Sequence, residues 1–321
     1  MTDALDTRTH AYRADLADSA LRGRVDAEQF VDGELFHVAV PVCDVRRAPD
    51  PGAMLTSQAT LGDMVKVFDN DGSGWAWGQV QRDGYVGYVP IAALNRGPAL
   101  ANASITVPLA FAYPTPDMKV PPSYVLPAGA LVHSVGEAGT FRILDDGAHV
   151  PAAAFQTNEH AAKDFVACAE EFMGAPYLWG GVTAHGLDCS GLVQTALRLI
   201  GIDAPRDSDQ QARALGREVH IDAGDGKPDL QRGDLIFWDG HVGILRDAAT
   251  LLHANAYHMR VFSEPLVQAL ERIDDGEFGQ PVAVRRLSPD APVGQDTAAA
   301  PKGATAELAH ISLVGAGEAS I

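Results

Sequence analysis

Apolar positions in residues 1–35 keep no sustained period, and the mixed polar composition predicts an extension with at most a short helix from Leu16 to Gln29. From His37 to Ala93 the spacing changes to two. HVAVPV, DMVKVF, WAWGQVQ and GYVGYVP are short alternating runs, separated by Pro-Asp-Pro-Gly, Asp-Asn-Asp-Gly-Ser-Gly and Arg-Asp-Gly. Alternation bounded by turn formers is the pattern of strands with one buried face, and it predicts a small antiparallel barrel. A shift of 67 positions superposes Val40-Pro41 on Val107-Pro108, Pro49-Asp50 on Pro116-Asp117, Gly62 on Gly129 and Met64-Val65 on Leu131-Val132. Val89-Pro90 then meets Val150-Pro151 after a six-residue shortening. A common offset predicts a second, more degenerate barrel; two unrelated all-β stretches are the alternative.

At Thr157 the period becomes helical. In TNEHAAKDFVACAEEFMG, Ala162, Phe165, Cys168, Ala169, Phe172 and Met173 form one stripe, with Thr157 or Asn158 as N-cap and Gly174 after the end. A second helix, CSGLVQTALRLIG, runs from Cys189 to Gly201, followed by an irregular segment to Arg232 and the strands DLIFW, HVGILR, LLHANA and PVAVRRL. From Ser288 the chain is rich in Ala, Gly, Pro and Thr, which predicts a disordered tail. The plan is an α+β chain: extension 1–35, barrels 36–99 and 100–156, a mixed domain 157–287 and a tail 288–321.

The chain has 321 residues, room for several small cores, and no apolar run near the ~20 residues that cross a bilayer. With 24 Lys and Arg against 42 Asp and Glu, its formal charge of -18 disfavours nucleic acid and anionic polymers, and favours a small or peptide-like ligand. The acidic start lacks the basic and apolar regions of a signal peptide, so a cytoplasmic location without a membrane partner is the expectation. Cys43, Cys168 and Cys189 are too few and too scattered for a disulfide framework, and no cofactor is implied.

Cys43, in a strand, and Cys168, on the helical stripe, read as packing residues. Cys189 differs because Asp188-Cys189-Ser190 opens a helix, with Asp188 as the N-cap. There free backbone N–H groups and the helix dipole are expected to lower the thiol pKa. Gly180-Gly181 and Gly186 allow close turns beside it, so Asp188 and Ser190 are candidate substrate-binding neighbours of an oxyanion site. Downstream, Asp239-Gly240 between apolar strands predicts a tight hairpin with His241 opening the return strand. A further reversal centred on Asp247 places His253 directly across from His241, on the same face. His241 then serves as base for Cys189, with His253 orienting its other nitrogen. A zinc ion on Cys189, His241 and His253 is the chemical alternative. His185, His220 and His258 show no pattern and read as loop or surface residues.

GAPYLWGGVTAHGLDCSGLVQTALRLIGIDAPRDSDQQ, followed by GDLIFW, HVGI and LLHAN, resembles the core of the NlpC/p60 cysteine peptidases of bacterial cell-wall metabolism, circularly permuted relatives of the papain fold. The resemblance implies Cys189 as nucleophile, His241 as base and His253 as third catalytic residue. The two barrels look like bacterial SH3 domains, and the whole order is similar to YkfC-type γ-D-glutamyl-L-diamino acid endopeptidases. Those cut between D-Glu and the diamino acid of murein tripeptides or tetrapeptides with a free L-Ala. The resemblance implies that Asp207 and Ser208 bind the amino end, that Tyr177 lines the oxyanion side, and that Tyr85, or else Tyr88, closes the cleft. A barrel carboxylate is also implied, with Asp63 a candidate and Gln58 a departure. The expected activity is recycling of murein peptides; an exported hydrolase of intact stems and a non-catalytic peptide-binding protein are the alternatives.

Overall fold

A computed structural model describes residues 5–70, 72–155, 164–219, 229–276 and 278–287. The expected tail and His220 lie outside these residues. Strands Glu34–Val38, Val42–Arg46, Leu55–Thr60, Met64–Asp69, Trp75–Val80, Val86–Pro90 and Leu94–Arg96 form one seven-stranded sheet around Phe36, Val38, Val45, Val65, Val89 and Leu94. Alternation explains it: in Val42–Arg46 only Cys43 and Val45 point inward.

The following module repeats the pairings at the offset read from the sequence. Ala103–Ser104 pairs with Leu131–Val132 as Glu34–Val38 pairs with Met64–Asp69, and Leu109–Ala112 pairs with Tyr124–Pro127 as Val42–Arg46 pairs with Leu55–Thr60. Ser134–Ala138, Phe141–Leu144 and His149–Pro151 form the matching three-stranded part, broken by an irregularity between Ser134 and Gly136. Gly62 and Gly129, at equivalent places, both take left-handed conformations with φ of 83° and 79°.

The extension contains no helix at Leu16–Gln29. Leu16–Asp18 instead pairs in parallel with Gln29–Val31, and a 3-10 turn at Ser19–Leu21 lies between them. Tertiary packing overrides the local pattern: Ala11 and Leu16 are buried against Phe68 and Trp77 of the first barrel. Ion pairs Asp18–Lys66 at 2.9 Å and Arg13–Asp69 at 2.7 Å flank this contact.

In the mixed domain, α1 spans Phe165–Glu170 with Asp164 as N-cap, its carboxylate accepting the Val166 N–H. The expected start at Thr157 or Asn158 lies outside the described residues. Helix α2 is Cys189–Leu199. The segment expected to be irregular contains α3, Ser208–Ala214, and a short strand, Arg217–Glu218. A strand at Arg260–Pro265 and helix α4, Leu266–Asp274, were also not predicted. The sheet runs in the order Arg217–Glu218, Ala283–Arg286, Asp234–Trp238, His241–Asp247, Thr250–Asn255, Arg260–Pro265. Both faces are covered, α1 and α2 packing on Leu235, Phe237, Val242 and Ile244, and α4 on Ile236, Trp238 and Leu245.

The first barrel docks on α2 through buried polar contacts. Arg198 and Arg82 each reach Asp63 at 2.7 Å, the Gln58 side chain accepts the Val182 N–H at 3.2 Å, and Gln194 donates to Asp83 at 3.0 Å. Asp63 and Gln58 thus fasten the barrel to the mixed domain.

Candidate active site

Asp188 organises the N-terminus of α2. Its carboxylate accepts N–H groups from Gly191 at 2.7 Å and Gly180 at 2.8 Å, and the buried Arg206 forks across both oxygens at 3.0 and 2.6 Å. Arg206 also donates to Ser190 Oγ at 2.9 Å and to Ser57 Oγ of the barrel at 3.1 Å. A side chain at Gly191 would place Cβ only 2.1 Å from the Gly181 carbonyl, so the helix start and the glycine turn need each other's lack of bulk. Asp188 and Ser190 do line the cleft, but their polar atoms are taken up in holding this corner together.

Cys189 is buried at the first position of α2. Burial pushes its thiol up to about 12, with Asp188 adding to the rise; backbone N–H groups of Val242 and Ser190 and the charge of Arg206 oppose it. The expected lowering of the thiol pKa is therefore overturned, because desolvation outweighs the helix terminus.

Asp239-Gly240 makes the predicted hairpin, Gly240 at φ 90° and Trp238 paired with His241. The second reversal falls differently from the expectation. Ile244 faces Leu252 and Leu245 faces Leu251, and Asp247 faces Thr250 after a bulge, so the turn is at Ala248-Ala249. His253 is therefore the diagonal rather than the direct neighbour of His241. Asp247 moves the turn by accepting the Ala249 N–H at 2.8 Å. Imidazoles span the diagonal, and His241 Nε2 lies 2.8 Å from His253 Nδ1.

The relay continues into the unpredicted elements. His253 Nε2 lies 2.8 Å from Glu264 Oε1, and Arg272 of α4 donates to the same oxygen. Burial raises the Glu264 carboxyl, but the bonds from His253 and Arg272 outweigh it and hold Glu264 ionised. An ionised acceptor fixes the protons: His253 donates from Nε2 and accepts at Nδ1, so His241 donates from Nε2 and keeps a bare Nδ1 for the thiol proton. Burial first, then the proximity of His253 and of the Arg272 cation, which oppose a positive charge on the ring, push His241 well below its ordinary 6.5. Phe278 stacks on the His241 ring at 5.4 Å and Trp238 packs at 5.6 Å, holding its plane. Burial thus favours the uncharged form of each group, an arrangement suited to nucleophilic attack with general-base assistance. Among the described residues, no three His, Cys, Asp or Glu side chains are grouped to hold a metal ion.

A cleft of ≈ 620 Å³ opens between this site, the first barrel and the extension. Tyr85, buried, donates to Asp207 Oδ2 at 3.2 Å, whereas the Tyr88 hydroxyl accepts from Arg13 at 3.1 Å. Ser208 opens α3 beside Asp207, and Tyr177 lines the same cleft as Cys189. Asp63 lies outside this cleft, and the barrel contributes Arg47 and Thr56 to its lining but, among the described residues, no carboxylate. Sequence reasoning missed Arg8, Arg206, Glu264 and Arg272. Arg206 stands inside the quoted PRDSDQQ stretch, while Glu264 and Arg272 carry no local signal.

Residues 45–94 match the family model of the bacterial dipeptidyl-peptidase SH3 domain, and residues 174–270 match the NlpC/P60 family. A γ-D-glutamyl-L-lysine dipeptidyl-peptidase of Bacillus cereus is 30% identical over 218 residues, 57% of this chain and 60% of that protein. One of Bacillus subtilis is 36% identical over 101 residues, 29% of this chain and 32% of that protein. Dipeptidyl-peptidase 6 of Lysinibacillus sphaericus is 32% identical over 130 residues, 40% of this chain and 45% of that protein. The matches thus span from about a third to 60% of these relatives' lengths. A solved NlpC/P60 family protein of Bacillus cereus shares the fold, with a TM-score of 0.62 at 23% identity, over 78% of this chain and 99% of that one.

Proposed function

Because the chain joins a bacterial dipeptidyl-peptidase SH3 domain to an NlpC/P60 domain, we propose that it is a cysteine peptidase. Its substrates are murein tripeptides or tetrapeptides with a free N-terminal L-Ala, cut between γ-D-Glu and the L-diamino acid. The observation that carries this reading is the hydrogen-bonded line His241–His253–Glu264, together with Val242, the residue next to His241 on its strand, whose backbone N–H reaches the helix-opening Cys189. Relatives named γ-D-glutamyl-L-lysine dipeptidyl-peptidases support the substrate class.

In this mechanism the Cys189 sulfur attacks the γ-carbonyl carbon of D-Glu while its proton passes to His241 Nδ1. Backbone N–H groups at the first turn of α2 face the developing oxyanion. As the C–N bond breaks, His241 returns the proton to the leaving amine, and water then hydrolyses the thioester with His241 again as base. The charge on His241 during each step is supported through His253 by Glu264. Asp207, with Tyr85 behind it and Ser208 beside it, receives the L-Ala ammonium, and Tyr177 borders the acyl group. This specificity suits recycling of free wall peptides in the cytoplasm. Cys189→Ala is expected to abolish release of the diamino acid from L-Ala-γ-D-Glu-diaminopimelate, read by mass spectrometry; turnover retained by the variant overturns the mechanism.

A further inference from the structure

We propose that Arg8, brought by the N-terminal extension, is a positioning residue of the cleft. It fixes the Asp207 carboxylate for the substrate's ammonium and so makes the extension part of the specificity site. The inference rests on the amine reading given above.

Packing on the barrel sets the place of Arg8 independently of its charge. The Val86 N–H donates to the Arg8 carbonyl at 2.8 Å, and the Gln79 amide donates to the Thr9 carbonyl at 2.8 Å. From that anchor the guanidinium enters the cleft and forks among three carboxylates. One terminal nitrogen meets Asp207 Oδ2 and Asp209 Oδ1, both at 2.9 Å, and the other meets Asp209 Oδ2 at 2.8 Å and Asp6 Oδ2 at 2.7 Å.

Arg8, with Arg213 at 2.8 Å from Asp209, stands against three carboxylates, so the cluster keeps one negative charge and still attracts a cation. Asp207 Oδ2 takes both Arg8 and Tyr85, while no donor among the described residues reaches Oδ1. Asp207 lines the cleft, and two bonds to Oδ2 hold its carboxylate at a fixed angle. Without Arg8, Asp207 would face Asp209, the latter still paired with Arg213, and would itself keep only the nearby Arg206 charge and the neutral Tyr85. Burial already raises the Asp207 pKa, so the carboxylate would turn away or take a proton. Either response removes a charge-assisted bond from the ammonium. Beyond the amine, the guanidinium also closes the cleft against an acyl group or a preceding residue.

The test uses the full chain as wild type, Arg8→Ala and Arg8→Lys, with L-Ala-γ-D-Glu-diaminopimelate and its N-acetyl derivative, resolving kcat from KM. The wild type is expected to prefer the free amine. Arg8→Ala is expected to lose that preference by roughly tenfold or more, chiefly through KM for the free-amine peptide. Arg8→Lys recovers part of the loss, because an ammonium pairs with one carboxylate but cannot fork; it also carries the comparison if the alanine variant does not fold. A wild-type preference retained by both variants overturns the role of Arg8. A fall in KM overturns it too, since Arg8 would then compete with the amine. A wild type indifferent to acetylation refutes the amine reading itself, which the variants alone cannot do.

Discussion

His241 and His253 meet at 2.8 Å from diagonal positions on neighbouring strands, and Glu264, diagonal again on the next strand, meets His253 at 2.8 Å. Three side chains thus step across the sheet, and the carboxylate at the far end decides which nitrogen of His241 is bare.

The first prediction concerns that carboxylate. Glu264→Gln keeps the shape but removes the charge that holds the His253 proton on Nε2. A bond to a charged group contributes about 1.5–3 kcal/mol, so kcat/KM is expected to fall roughly ten- to a hundredfold. Steady-state kinetics beside a thermal melt separate this from unfolding; activity equal to wild type would remove Glu264 from the relay.

The second is pH dependence. In the proposed mechanism His241 acts as base only when neutral, and burial, with His253 and Arg272 opposing a positive charge on it, holds it well below 6.5. The acid limb of kcat/KM is therefore expected below the ordinary histidine range, with activity sustained at pH 6. Stability has a matching sign. His241 and His253 both have lowered pKa values in the folded state, so the unfolded chain binds more protons as pH falls below about 6.5. Stability is retained above that value and declines below it, which denaturant titrations from pH 5 to 8 would read.

Arg206→Met is the third. It would leave the Asp188 carboxylate buried without its ion pair and cut the bond to Ser57 of the barrel. Breaking one side of a buried pair costs about 3–5 kcal/mol. Denaturant unfolding should show this loss, together with reduced activity as the α2 N-terminus loosens; an unchanged midpoint would show that the pair contributes nothing.

Much of the architecture was legible because it rests on short-range patterns. Alternation with turn residues marked the barrel strands, and a constant offset marked the second module, whose pairings repeat the first. Asp188 before Cys189 announced a helix start, and Asp239-Gly240 announced the hairpin that opens with His241. Leu16–Gln29 defeated the same reasoning because its apolar residues answer to Phe68 and Trp77, some 50 residues further on, rather than to each other. The register at His253 was read two residues off, since the turn falls at Ala248-Ala249 rather than on Asp247, whose side chain accepts the Ala249 N–H.

By itself, then, the sequence determined the chemical types and their local settings: a cysteine at a helix start, a histidine after a tight turn, and strands spaced for small barrels. Local backbone preferences and side-chain alternation act over a few residues, so they survive in one dimension. Only the tertiary structure decided how those groups are charged and aimed. Arg206 reaches Asp188, Glu264 and Arg272 reach His253, and Arg8 reaches Asp207 across 199 residues, each through burial and electrostatics that depend on distance in space. The Cys189 pKa rises for the same reason, because a helix terminus can be read along the chain but the loss of water around a sulfur cannot.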